Sequence, residues 1–421
     1  MRALCIVVIV CLVGWSNSQK CPARYRRFSP RHSFCLPPNP TCEIQRTGVS
    51  EQDKELILRL HNQFRSKVAM GNEHRSLGGS MPQAADMLQM VWDEELAAVA
   101  QKWTENCNWG HDCQECRAVE NFGVGQNLFI QDWTPCDGHG CIQLSSEPNW
   151  RLAITFLYDE VKDYNINWID SFKPHNVPKK TGHLTQLIWS KTWRVGCGVS
   201  YYKKGGENHL YYACNYGPGG NIETQPVYKQ GQPCSACPTN TQCSTTSERA
   251  NSFPGLCKMV DPNTAPAYPK SSRSLFLCGS MNNDNSNCEY EGEGHGQLKS
   301  VHSVGGNYRS IVLNGGQSIN FTFVSPIVPR GSTSCLSVIF RKGPLDASRK
   351  DRSKFQANFK LGFGTVPPMD IDTKTTVFKQ FRMELQWRMK TKLGFTFSVP
   401  RGAGKHVLDI GRIEAFDGSC S

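Results

Sequence analysis

Twenty cysteines in 421 residues constrain this chain more than any other feature. Cytosolic proteins keep their thiols reduced, whereas exported proteins oxidise them in pairs. The first eighteen residues point independently to export. Arg2 supplies a positive start, Ala3 to Trp15 is an apolar run, and Ser16 and Ser18 are small residues spaced for cleavage after Ser18. Removing residues 1–18 as a signal peptide discards Cys5 and Cys11 and leaves eighteen cysteines, enough for nine disulfides. The pairs Cys113/Cys116 and Cys234/Cys237 have a spacing that zinc sites also use, but in an oxidising compartment disulfides are the better reading. No other stretch approaches the ~20 apolar residues of a membrane span. The expectation is an extracellular protein without a transmembrane segment.

At 421 residues the chain is too long for one compact domain. A Cys- and Pro-rich leader over 19–50 precedes a mixed helix and strand region over 51–230. A Cys-rich hinge over 231–260 and a Pro-containing linker over 261–274 follow, and 275–421 alternates apolar and polar residues. The formal charge of +11 is concentrated at one end: residues 264–421 hold 21 Lys+Arg and 12 Asp+Glu, an excess of nine. Arg341, Lys342, Arg349, Lys350, Arg352 and Lys354 are its densest run. On an exported protein such a run suits anionic glycans or anionic membranes better than nucleic acid, and reads equally well as a solvated loop.

Between 51 and 230 the apolar spacing changes from helical to strand-like. Leu56, Leu60 and Phe64 recur every fourth residue beside Ile57 and Val68, which predicts a helix over 53–69. Leu96, Val99, Ala100 and Trp103 predict a second over 93–105, and a third follows over 150–164. Strand patterns over 195–202 and 210–216 flank Lys-Lys-Gly-Gly-Glu-Asn. A turn between Gly205 and Gly206 sets Cys197 opposite Cys214, close enough for a cross-strand disulfide.

On the third helix Ala153, Leu157, Glu160 and Tyr164 share a face. A carboxylate on a partly apolar face needs a partner or a route to water. His111, in Asn-Trp-Gly-His-Asp-Cys, is one candidate partner. His183, in Thr-Gly-His-Leu-Thr-Gln-Leu-Ile-Trp ahead of a strand-like apolar run, is another. Each alone is more often a satisfied structural residue than a ligand, and spacing does not join them. His-Glu-x-x-His, Gly-x-Ser-x-Gly and Gly-x4-Gly-Lys are all missing, so the standard hydrolase and nucleotide signatures are excluded.

Gly182 to Trp189 and Tyr212 to Asn221 (Tyr-Ala-Cys-Asn-Tyr-Gly-Pro-Gly-Gly-Asn) resemble the two signature segments of the CAP superfamily. That superfamily holds cysteine-rich secretory proteins, antigen 5 allergens and plant pathogenesis-related proteins. His61-Asn-Gln-Phe-Arg65, Gly125-Gln-Asn127 and Asp159 to Asn165 match further segments. Val124 to Asn127, Gly110-His-Asp112 and the Cys-rich leader are similar to the venom allergen 5 branch of arthropods. The resemblance implies an α+β fold, an α-β-α sandwich around a central antiparallel sheet. It also implies a cleft where two histidines and two acids converge.

Carried over, His111, Glu160 and His183 take three of those positions, and Gln126 stands where the second acid is usual. Gln cannot ionise or act as a general base. The resemblance thus leaves His111, Glu160 and His183 as candidate ligands of a divalent metal, zinc foremost. Ser190 is the nearest candidate nucleophile. His61 and Arg65 are implied to be buried structural residues. Family pairing suggests the disulfide Cys42–Cys107, supports Cys197–Cys214 and is compatible with Cys21–Cys35. Pairing among Cys113, Cys116, Cys136 and Cys141, crowded into one loop, stays open.

Residues 231–260 resemble the hinge of cysteine-rich secretory proteins, but their compact helical tail does not follow. Ser318 to Phe323, Lys379 to Trp387, Gly394 to Val399 and His406 to Phe416 predict an all-β domain, a sandwich or a jelly-roll-like fold. Asn320-Phe-Thr322 is a glycosylation sequon. The expected function is that of a secreted, disulfide-rich, venom allergen 5-like binding protein of venom or saliva without enzymatic activity. Its candidate partners are a sterol or lipid, a host receptor or ion channel, and an anionic glycan held by the C-terminal domain. The alternative is a metal-dependent hydrolase or protease working through His111, Glu160 and His183. A haemolymph protein fits the same features, and the oligomeric state is not legible.

Overall fold

The computed structural model describes residues 21–37, 39–135, 145–174, 180–245, 252–266, 273–279, 288–302, 307–361, 364–371, 375–386 and 388–420. The expected signal peptide, Cys136 and Cys141 lie outside these residues.

The N-terminal unit holds helices α1 (Ala23–Phe28), α2 (Glu51–Ala69), α3 (Glu94–Thr104), α4 (Trp150–Tyr158) and α5 (Gly182–Leu187). Its strands are β1 (Glu43–Thr47), β2 (Val91–Trp92), β3 (Gly125–Trp133), β4 (Arg194–Lys204) and β5 (Glu207–Gly217). Short polar side chains start the longer helices by accepting backbone N–H groups that have no partner within the helix. Ser50 accepts from Asp53 N at 3.1 Å, Asp93 from Leu96 N at 2.9 Å and Asn149 from Leu152 N at 3.0 Å.

The sheet runs β1-β4-β5-β3 with antiparallel pairing, as expected, and the two-residue β2 joins β4 in parallel. Strand alternation then divides the core. Val195, Val199, Tyr212 and Tyr216 pack with Ile57, Leu60, Trp150 and Ile154 of α2 and α4. Tyr202, Tyr211 and Ala213 face the other way, toward Ala100. The result is an α-β-α sandwich. On its α3 side the helix lies directly on strand backbone. A Cβ added to Gly196 would sit 2.2 Å from Ala97 N, and one added to Gly198 would sit 2.3 Å from Gln101 Cα.

Two expected elements differ. The third helix ends at Tyr158 and tightens into a 3-10 turn over Asp159–Asp163, as helix C-termini often do. The segment after His183, read as strand-like, forms α5, with Leu184 and Leu187 fully buried.

The hinge is stapled by Cys234–Cys243 and Cys237–Cys257 and carries the two-stranded ribbon β6 (Thr241–Cys243) and β7 (Cys257–Met259). Its backbone bonds to the first unit through Cys257 N–Met87 O at 2.8 Å and Gln89 N–Cys257 O at 2.9 Å. Cys21–Cys35, Cys42–Cys107, Cys113–Cys116 and Cys197–Cys214 are also disulfides.

The C-terminal unit is a β-sandwich. One sheet contains β8 (Ser274–Gly279), β10 (Lys299–Val301), β11 (Tyr308–Leu313), β13 (Ser334–Pro344), β16 (Lys379–Leu385) and β18 (His406–Asp417). The other contains β9 (Tyr290–Gly294), β12 (Ser318–Phe323), β14 (Lys354–Leu361), β15 (Gly364–Asp370) and β17 (Thr391–Ser398). All these pairings are antiparallel. Phe321, Phe340, Phe355, Phe395 and Phe397 fill the space between the sheets. Cys278–Cys288 and Cys335–Cys420 tie the unit together. Trp387, at the end of one expected strand, lies outside the described residues.

The basic run is not one surface. Lys342 is 4% exposed and its ammonium bonds Asp351 at 2.6 Å; Arg341 is 1% exposed at the boundary between the two units. The strand alternation of β13 directs Arg341 out of its own sheet and into that boundary. Arg349, Lys350, Arg352 and Lys354 stay exposed.

Candidate functional site

The loop after α3 places His111. Trp103 Nε1 and the Tyr211 hydroxyl both donate to Gly110 O, at 2.9 and 3.0 Å, so helix and sheet hold the residue before the histidine. Gln126, on β3, donates from Nε2 to Asn215 Oδ1 at 3.1 Å. Its Oε1 is therefore the atom that accepts from His111 Nδ1, at 2.8 Å. His183, in the first turn of α5, donates from Nδ1 to Glu160 Oε1 at 2.7 Å, and Leu184 N donates to Glu160 Oε2 at 3.0 Å. These bonds fix both tautomers and leave Nε2 as the basic nitrogen of each ring. Burial lowers the pKa of His111; the Gln126 bond opposes this, and Arg117 and His183 add to it.

Ligand atoms of His111, Glu160 and His183 do not all lie within 4.8 Å of one another. Glu160 spends both oxygens on the α5 turn, so it orients His183. Among the described residues, the one group of three or more Cys, His, Asp or Glu atoms within 4.8 Å is Cys234, Cys237 and Cys257, and all three are in disulfides. Ser190 is 1% exposed and its hydroxyl donates to Asp86 at 3.1 Å, so it is engaged by an acid and not by a histidine.

The model of the cysteine-rich secretory protein family matches residues 58–216. The chain is 40% identical to "CRISP/Allergen/PR-1" of Trittame loki, over 98% of this chain and 99% of that one. The chain belongs to the cysteine-rich secretory protein family. It is also 36% identical to "Venom allergen 5" of Tityus serrulatus, over 99% of this chain and 98% of that one. Its likeness to the crystal structure of Na-ASP-1 is 30% identical, covers 53% of this chain and 52% of that one, and has a TM-score of 0.41. Within the family the chain is venom allergen 5-like.

Several positioning residues of this family member have no signal in the sequence beyond their place in the quoted segments. Asn127 Nδ2 holds His183 O at 3.0 Å, and Asn221 Nδ2 holds Gly182 O at 2.8 Å. Arg65 is fully buried and donates to the carbonyls of Leu88, Leu187, Trp189, Ser190 and Thr192, at 2.7 to 3.2 Å. It thereby ties the segment after α5 to α2. His61 bonds Ile57 O at 2.8 Å and the Tyr216 hydroxyl at 2.9 Å, deep in the core.

Proposed function

We propose that this chain is a secreted, venom-type binding protein whose cleft takes a divalent ion through His111 and His183. The supporting observation is that each imidazole spends Nδ1 on a side-chain oxygen, which leaves two Nε2 lone pairs for a metal. Glu160 and Gln126 would then act behind the ligands, raising ring basicity and fixing orientation. A bound ion would polarise an oxygen of whatever ligand reaches it.

Binding is favoured over hydrolysis by the same side chains. Gln126 cannot take a proton, Glu160 is held by His183 on one oxygen and Leu184 N on the other, and Ser190 faces Asp86. Export is supported by the eight disulfides among the described residues. A sterol or lipid, a host receptor or channel, and an anionic glycan remain the partner classes, the glycan supported by the four exposed basic residues over 349–354. Asn320 is exposed on β12, where a glycan could be carried.

Calorimetric titration with zinc tests the reading. Wild type should bind, His183→Ala should lose specific binding, and Gln126→Glu should bind more tightly through greater negative charge behind His111. Identical binding by wild type and His183→Ala would mean that the His–Glu pair only organises the fold.

A further inference from the structure

The outer face of the β16-β13-β18 sheet faces the N-terminal unit across a cavity of about 1110 Å³. Cross-strand register builds its floor. Gln380, Ile339 and Arg412 lie side by side on the three strands, and Arg382, Ser337 and Glu414 form the next row on the same face. Trp189, Lys191, Trp193 and Ile222 belong to the opposite wall. His111 and Gln126 also line the cavity.

Charge inside this chamber is unbalanced. Six Lys and Arg side chains line it against two acids, Asp86 and Glu414. Both acids are engaged. Asp86 accepts from the Ser190 hydroxyl and from Lys229 N, at 3.1 and 2.9 Å, and Glu414 accepts from Arg412 Nη2 at 2.7 Å. Arg382 donates from Nη1 to Cys420 O at 2.8 Å. The Nε groups of Arg382 and Arg412 are buried and have no hydrogen-bond partner. A buried guanidinium N–H without an acceptor is costly, and a charged acceptor is its strongest partner.

Lys191 belongs to the same cluster. Its side chain is reached by water, yet burial depresses its pKa; Asp86 opposes this, and Arg412 and Arg382 add repulsion. Both facts fit an ammonium enclosed in a wet chamber. Phe378, Phe416 and Ile339 supply apolar wall beside the cations.

We propose that this chamber binds a small amphiphilic anion, a sulfate- or phosphate-type group on an apolar body, with Arg382, Arg412 and Lys191 meeting the oxyanion. The volume suits more than the head group, since drug-sized ligands occupy sites of about 300–1,000 Å³. The site requires both units, and it does not depend on a metal at His111 and His183.

Calorimetry on the full secreted chain tests this with 4-nitrophenyl sulfate, 4-nitrophenyl phosphate, inorganic sulfate and the neutral 4-nitrobenzyl alcohol. Saturable binding of the two aromatic anions is expected, weaker binding of inorganic sulfate, and none of the alcohol. Arg382→Gln with Arg412→Gln should weaken binding about tenfold or more, the loss of a charged hydrogen bond. Ile339→Trp fills the chamber without changing charge and should exclude the probe equally, which keeps the test alive if the double variant fails to fold. Lys360→Ala with Lys392→Ala, exposed neighbours on β14 and β17 away from the chamber, should bind like wild type. No binding by wild type, full binding by Ile339→Trp, or an equal loss in the Lys360/Lys392 variant would overturn the site.

Discussion

Arg341 Nη2 and Glu120 Oε1 meet at 2.7 Å across the boundary between the two units. The same guanidinium donates from Nε to Asp409 at 2.7 Å and from Nη1 to Glu120 O at 2.6 Å, and its carbon lies 4.6 Å from the Phe378 ring centre. Arg27 of α1 pairs with both acids, and the Tyr308 hydroxyl donates to Glu120 at 2.8 Å.

Removing Arg341 leaves the fully buried Asp409 with Arg27 as its remaining charge partner. Arg341→Met should therefore cost about 1.5–3 kcal/mol, the loss of a charged hydrogen bond, seen as a lower urea midpoint. X-ray scattering should show a larger radius of gyration as the units part. An unchanged midpoint and radius would mean that the boundary is held by other contacts.

Acid should weaken the fold through His61. Burial pushes this imidazole down to about 4 from 6.5; the Ile57 carbonyl opposes the shift and Arg65 adds to it. The unfolded chain takes the proton near 6.5 and the folded chain resists it until about 4. Stability is thus full above pH 6.5 and falls between 6.5 and 4, by about 3 kcal/mol. Denaturant midpoints measured against pH should show a shallower fall for His61→Gln. The slope that remains belongs in part to His32 and His406, which burial also lowers.

Disulfide contributions should follow loop length. Cys42–Cys107 spans 65 residues and Cys335–Cys420 spans 85, whereas Cys113–Cys116 spans three. Replacing either long pair by Ala should cost about 4 kcal/mol in the chain-entropy account. Replacing Cys113 and Cys116 should cost the least of the three, and thermal unfolding of the three double variants gives the order.

Heparin retention should depend on Arg349, Lys350 and Arg352 and should fall as salt rises, because exposed charges are screened within about 10 Å at 0.1 M. The triple Ala variant should elute earlier than wild type. Equal elution would discount the loop as a glycan contact.

Helix α2 was legible because Leu56, Leu60 and Phe64 hold the helical period for longer than any strand. The turn at Gly205–Gly206 was equally legible, since symmetry about two glycines sets the register of β4 and β5. Six-residue α5 was not, because Leu184, Leu187 and Ile188 satisfy either period over so short a span. That Glu160 needs a partner follows from its neighbours. That both its oxygens go to the α5 turn does not, because α5 arrives from 23 residues away, and 3-10 tightening moves Glu160 off the expected helical face. The burial of Arg341 is hidden in the sequence for a related reason. A dense basic run looks solvated in sequence, and only the packing of a second unit on that face of β13 buries it.

The contact of α3 on Gly196 and Gly198 gives those two positions a reach well beyond their own surroundings. A methyl group at either would lift α3 from the sheet and draw Trp103 away from Gly110 O, leaving the Tyr211 hydroxyl to hold the residue before His111. His183 would stay where α2 and Arg65 anchor it. The seating of His111 therefore depends on the thickness of a helix-on-strand joint. Substitutions at Gly196 and Gly198 would disturb it without touching the cleft, and a mutational screen confined to the cleft would overlook them.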